Sequence, residues 1–174
     1  MKIIMFMGIP SSNNLELAKF IQLNKYPDAL IFNRDYIKMK PQYKDLPSNS
    51  LIIDFAFIQS IKTVIQKESP KCIIVIAPFI LKDSREYFFE AFKGNEFIGV
   101  WVERSRQKLL ENNKLSIPSF QETEDIIDYY LKYKVSPTVG EPFKEIVYIT
   151  REINTGISKN YPYIADLETV LLRL

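Results

Sequence analysis

Residues 1–20 read MKIIMFMGIPSSNNLELAKF. Residues 2–7 form a short apolar run of the kind expected for a central parallel strand. Gly8 ends the run and a short polar stretch follows. From Leu15 onward, Leu15, Leu17, Ala18, Phe20 and Ile21 fall at the spacing of a helix packed on a sheet. Strand, glycine, polar turn and helix are the layout of a phosphate-binding loop, G-x-x-x-x-G-K-[ST]. In a working loop the glycines let the backbone wrap the phosphates. The lysine reaches their oxygens and the hydroxyl holds magnesium.

This loop keeps the layout and changes the letters. Gly8 fits the first position and Pro10 suits the early turn. Asn13 stands where the second glycine belongs, Asn14 where the lysine belongs, and Leu15 where the hydroxyl belongs. Asparagine tolerates positive φ better than most residues, so the path of the loop is expected to survive. Asn14 is neutral, Leu15 cannot ligate a metal, and Lys19 lies more than a helical turn away. The helix N-terminus and loop amides can still hold an anion, which makes Gly8, Ser11, Ser12, Asn13 and Asn14 the candidate ligand-binding residues. Taken alone, the stretch reads equally as an ancestral phosphate loop or as a plain strand-to-helix turn.

Further strands are expected at 29–32, 72–77, 97–102 and 145–150. Helices are expected at 36–39, stopped by Pro41, and at 51–66, capped by Ser50. Others are expected at 84–92, closed by Gly94, at 105–110, at 123–133 with a capping box at Glu122 or Thr123, and at 166–174. Segments 40–50 and 112–121 read as polar and irregular. Asp54 resembles a metal ligand closing a strand at 51–53. The helical position is favoured, because apolar residues continue at Phe55, Ile58, Ile61 and Ile65. The alternation predicts one α/β domain over residues 1–174. It is a three-layer, P-loop NTPase-like fold with a mostly parallel sheet of about five strands and helices on both faces. The loops after Met7, Phe32, Ala77 and Val102 should meet at one sheet edge, where ligands bind in such folds.

The strand ending at Phe32 runs into Asn33-Arg34-Asp35. With the opening loop, this makes the N-terminal half resemble the polynucleotide 5'-kinase family of P-loop kinases found in phages and in nucleic-acid end repair. There an N-R-D-D motif follows the matching strand, and its first aspartate is the general base on the acceptor 5'-hydroxyl. The resemblance implies that role for Asp35, with Arg34 as the motif arginine. Val135-Ser136-Pro137-Thr138 through Glu141, Phe143, Glu145, Ile146 and Val147 resembles the family's approach to its last strand. The departures fall on the chemistry. The acceptor-binding aspartate after the third strand is replaced in Ala77-Pro78-Phe79. The place of the lid arginine falls on Glu111, with Arg104, Arg106 and Lys114 nearby as substitutes.

Bulk properties narrow the classes. The 174 residues contain no histidine and a single cysteine, Cys72. That removes a Ser-His-Asp triad, a Cys-His pair, an imidazole zinc site and an internal disulfide. The net charge of +2 gives no reason to expect nucleic acid or an anionic membrane. The longest apolar run, 72–81, is too short to span a bilayer and contains Pro78. The N-terminal run lacks a basic flank and reads as a strand rather than a signal peptide, so the cytoplasm (of a host, for a viral protein) is the expected location. Aromatic residues make up 13%. Phe88, Phe89, Phe92, Tyr129, Tyr130 and Tyr133 fall at helix spacings that suit a core or a partner-binding face. The sequence thus points to a degenerate, non-catalytic or attenuated kinase-like protein that binds nucleic acid, nucleotide or a partner protein, with no metal site. The alternative is an active nucleotide or polynucleotide kinase using ATP and magnesium. Asp35 would be its base, and Arg34 with Arg104 or Arg106 would serve the phosphates.

Overall fold

The first strand shows how the apolar pattern becomes three layers. In the computed structural model, which describes residues 1–116, 118, 121–149, 171, 172 and 174, β1 spans Lys2–Gly8. Its side chains alternate across the sheet, as a pleated strand requires. Ile3, Met5 and Met7 enter one core, with Ile53, Phe57, Ile61, Phe88 and Trp101. Ile4 and Phe6 enter the other, with Leu17, Ala18, Ile21 and Val147. A strand buried on both faces has no polar side, which is why its sequence reads as a continuous run.

The elements follow in the order α1 (Asn14–Lys25), β2 (Leu30–Asn33), α2 (Asp35–Lys38), α3 (Leu51–Glu68), β3 (Cys72–Ala77), α4 (Lys82–Ala91), β4 (Glu96–Val102), α5 (Arg106–Leu115), α6 (Glu124–Tyr133) and β5 (Phe143–Ile149). The five strands form one sheet in the order β2-β3-β1-β4-β5. All four pairings are parallel. Helix α1 packs its apolar side on the core behind Ile4 and Phe6. Helices α3, α4, α5 and α6 supply the opposite core. Chain order reverses direction at β1, so the crevice beyond its carboxyl end is the switch point where ligands bind in this architecture.

Ser50 caps α3 by accepting from Ile52 N, and Thr123 caps α6 by accepting from Ile126 N. Asp54 lies in the first turn of α3. Gly94 takes φ +85° just beyond α4. Two expectations need correction. Residues 112–115 are helical, because α5 runs on to Leu115. The buried Asn112 and Asn113 use their side chains for tertiary hydrogen bonds, so they do not compete with the helix backbone as exposed asparagines do. The last strand starts at Phe143 rather than at 145. Phe143 is held there by an edge-on contact with Phe89, ring centroids 4.9 Å apart. Of the helix expected at 166–174, Leu171 and Leu172 are helical. Leu174, buried, is not helical, and residues 166–170 and 173, with Thr150 at the end of the last expected strand, lie outside the described residues.

Candidate functional site

At the end of β1 the strand passes very close to β4. A Cβ added to Gly8 would lie 2.7 Å from the backbone oxygen of Val102, so only glycine fits. The chain then turns through two left-handed residues, Ser11 at φ +71° and Asn13 at φ +64°. The turn ties itself together. Ser12, buried, donates to the Ile9 carbonyl through its backbone N (3.2 Å) and its hydroxyl (2.6 Å). The Asn13 carbonyl accepts from Leu17 N at 3.2 Å and opens α1. Asparagine thus takes the backbone conformation that glycine would otherwise supply. Asn14 Oδ1 is buried with no hydrogen-bond partner among the described residues.

The loop does not fill its own hollow. Residues 8–16 border a cavity of about 130 Å³. Asn33, Asp35 and Lys38 form a second wall, Ala77 and Pro78 a third, and Ser116 and Glu122 a fourth. The Asn33 side chain accepts from Asp35 N at 3.0 Å and fixes the start of α2. Asp35 is half-buried. Burial pushes its carboxyl above the usual value and Glu122 adds to that, while Arg34 and Lys38 oppose it.

Among the described residues Lys38 is the one cationic side chain on these walls, and it is engaged. Its Nζ donates to Ser48 Oγ at 2.5 Å and to Glu122 Oε1 at 2.8 Å. Ser48 Oγ lies 2.8 Å from Glu122 Oε2. Glu122 is in turn held by Asn113. Glu122 N donates to Asn113 Oδ1 at 2.9 Å, and Asn113 Nδ2 donates to the Glu122 carbonyl at 2.8 Å. The same Asn113 Oδ1 accepts from Ser11 Oγ at 3.2 Å, and Asn112 Nδ2 donates to the Ser11 carbonyl at 2.9 Å. One network therefore joins the β1–α1 loop, α5, the approach to α6 and α2. A resident carboxylate sits on the cation that an incoming anion would need.

The structure brings Gly8, Ser11, Ser12, Asn13, Asn14 and Asp35 around the cavity and places the arginines elsewhere. Arg34 is buried and points to α3, where its Nε meets Asp54 Oδ1 and its Nη2 the Ser50 carbonyl at 3.3 Å. Arg104 is buried and donates to the carbonyls of Glu103 (2.7 Å) and Ile149 (3.3 Å). Arg106 is on the surface in a two-pronged pair with Asp128, at 2.6 and 2.9 Å. Glu111 is exposed beside Gln107 and Lys108, and Lys114 is exposed. The sequence reading missed Lys38 and Glu122. Lys38 carried a signal, since it stands three residues after Asp35 and so shares its helix face. Glu122 read only as a capping residue, and its approach to Lys38 is tertiary.

No protein-family model and no curated protein sequence matches the chain. Solved structures do match. A gluconokinase from Sinorhizobium meliloti 1021 superposes with a TM-score of 0.64 at 12% identity, over 99% of this chain and 92% of the other. Kti12 from Chaetomium thermophilum, in complex with ADP-AlF3, gives 0.68 at 12%, over 97% and 95%. The chain has a P-loop kinase-like fold. A chain of the Pnkp1/Rnl/Hen1 RNA repair complex shares it at a TM-score of 0.52 and 14% identity, over 80% of this chain and 49% of that one. At these identities the likeness is one of P-loop kinase architecture, and the chemistry must be argued from the side chains. No helix among the described residues is long and apolar enough to cross a membrane.

Proposed function

We propose that the protein is a degenerate P-loop kinase-like domain that acts by binding nucleic acid, a nucleotide or a partner protein and transfers phosphate weakly or not at all. The observation that carries this reading is the occupied cation. Phosphoryl transfer depends on positioning and on neutralising charge, and among the described residues the cavity offers Lys38 alone, already paired to Glu122. Glu16 and Asp35 border the same space, so among the described residues its walls carry three carboxyl groups against one ammonium. A triphosphate entering here meets like charge. With Asn14 and Leu15 at the positions of the lysine and the hydroxyl, the donor set does not fit ATP with magnesium. Loss of both the phosphate lysine and a lid arginine forfeits several kcal/mol, at about 1.4 kcal/mol per tenfold in rate.

A second reading keeps the transfer reaction, and Asp35 favours it. Its raised carboxyl beside the cavity suits a general base, which works best when poised toward neutral pH. Calorimetry with ATP and magnesium, followed by labelled-phosphate transfer to 5'-hydroxyl oligonucleotides, separates the two readings. The binding reading expects no transfer that depends on Asp35. Transfer that is abolished by Asp35→Asn overturns it. Absence of nucleotide binding at millimolar concentration overturns the kinase reading.

A further inference from the structure

A second, more apolar hollow is bordered by α3 and α4 and takes in Arg34. It has a volume of about 330 Å³, against about 130 Å³ for the loop cavity. Ala77 and Pro78 border both hollows, while the Arg34–Asp54 pair borders this one. Phe57, Ile58, Phe79 and Phe88 give it apolar walls, and Leu51, Leu81 and Tyr87 border it. Leu51 is 78% exposed and Tyr87 48%. Protein interiors are close-packed, so an apolar hollow of this size with apolar residues left in water is the form of a ligand site.

Three polar features give the hollow a chemistry. Tyr130 lines it, is only 4% exposed, and has no hydrogen bond to its hydroxyl among the described residues. A phenolic hydroxyl in an otherwise apolar wall can both donate to and accept from a ligand. Arg34 is neutralised by Asp54 and the Ser50 carbonyl. Asp54 uses Oδ1 for that pair, and no described residue donates to its Oδ2. Asp83, in the first turn of α4, then leaves the lining one negative charge in excess. The floor is also conformationally unusual. Phe79 holds φ +45°, a region that residues with a side chain rarely occupy and that clusters at ligand sites. It is fixed there by Arg85 Nη1, which donates to its carbonyl at 2.9 Å, and by edge-on contact with Phe88 at 5.0 Å.

We infer that this hollow binds a small planar aromatic molecule bearing an N–H donor or a positive charge. Its ring would lie among Phe57, Phe79 and Phe88. Its donor would face Asp54 Oδ2, with Tyr130 Oη as a further partner. The site discriminates against anionic and phosphorylated ligands, because its one guanidinium is already spent. This inference does not depend on whether the loop cavity transfers phosphate.

Indole, tryptamine and indole-3-acetate form a test series of one ring with neutral, cationic and anionic character. Each is titrated into the isotope-labelled full chain and followed by amide chemical shifts. Saturable shifts centred on α3, residues 78–81 and α4 are expected, with tryptamine tightest and indole-3-acetate weaker by about tenfold or more, the scale of one charge interaction. Tyr130→Phe should weaken tryptamine severalfold with the shift pattern of the fold retained. Asp83→Asn should reduce its advantage over indole. Ile58→Trp, which fills the hollow, should abolish the shifts. If that variant does not fold, Tyr130→Phe and Asp83→Asn carry the test. No saturable shift for any probe up to roughly 5 mM, or indole-3-acetate binding as tightly as tryptamine, overturns the inference.

Discussion

Arg85 is fully buried, yet it stands in a helix turn whose sequence, Lys82 to Glu86, reads as solvated. Its Nε and Nη2 grip Glu141 at 2.6 and 2.8 Å, and its Nη1 donates to the carbonyls of Phe79 and Val135, both at 2.9 Å. The pair ties α4 to the β3–α4 turn and to the segment leading into β5. Arg85→Ala leaves a buried carboxylate unpaired, and chemical denaturation should show a loss of about 3–5 kcal/mol. Replacing both partners by apolar residues should recover much of it. Burial alone would raise the Glu141 carboxyl, but Arg85 and the Thr138 amide hold it below its ordinary 4.5. The sign follows by linkage. A depressed folded-state value stabilises fully above the ordinary range and loses that contribution as pH falls through the depressed value. Asp35 runs the other way. Its raised value favours the protonated folded state, so its contribution is lost as pH rises through that value. Asp35→Asn should therefore raise the melting temperature at neutral pH and leave it little changed in acid. Gly8→Ala is expected to cost about 1–3 kcal/mol through overpacking, since the contact it meets is backbone.

The network around Asn113 is a property of elements rather than of one residue. It fastens the β1–α1 loop to α5 and to the approach to α6. Asn113→Leu should leave the sheet protected and speed hydrogen exchange at residues 9–13 and near Glu122, because the bonds it removes cross between segments. Glu122→Gln strips the counter-charge from Lys38. The variant should bind pyrophosphate measurably by calorimetry where the parent does not, a gain on the order of tenfold. An unchanged titration would show that the Glu122 charge is not what keeps an anion from Lys38. What was legible here and what was not divides along the same line. β1, β3 and β4 are apolar runs long enough to announce themselves, and Ser50 announced α3. The loop path was readable because Gly8 and Asn13 are backbone requirements. The burial of Arg34 against Asp54, the pairing of Lys38 with Glu122 and the continuation of α5 through Asn112 and Asn113 were not. Each depends on a partner many residues away, and local spacing carries no record of it.

For the whole molecule, the strand order β2-β3-β1-β4-β5 fixes which contacts are distant. Lys2 pairs with Cys72 on one side and with Glu96 on the other. Chemical-shift mapping of the tryptamine complex should light up α3 and α4, and that of the pyrophosphate complex of Glu122→Gln the β1–α1 loop and α2, while β5 stays silent in both. The all-parallel order also bears on the protein's birth. At synthesis speeds of about 5–20 residues per second, β1 leaves the ribosome on the order of 3–14 s before its first neighbour, β3, is complete. For that interval this strand, buried on both faces in the finished fold, has neither of its two neighbours, β3 and β4. A newborn chain of this design depends on whatever shields nascent polypeptides, and its yield in a cell should track chaperone supply more closely than its finished stability.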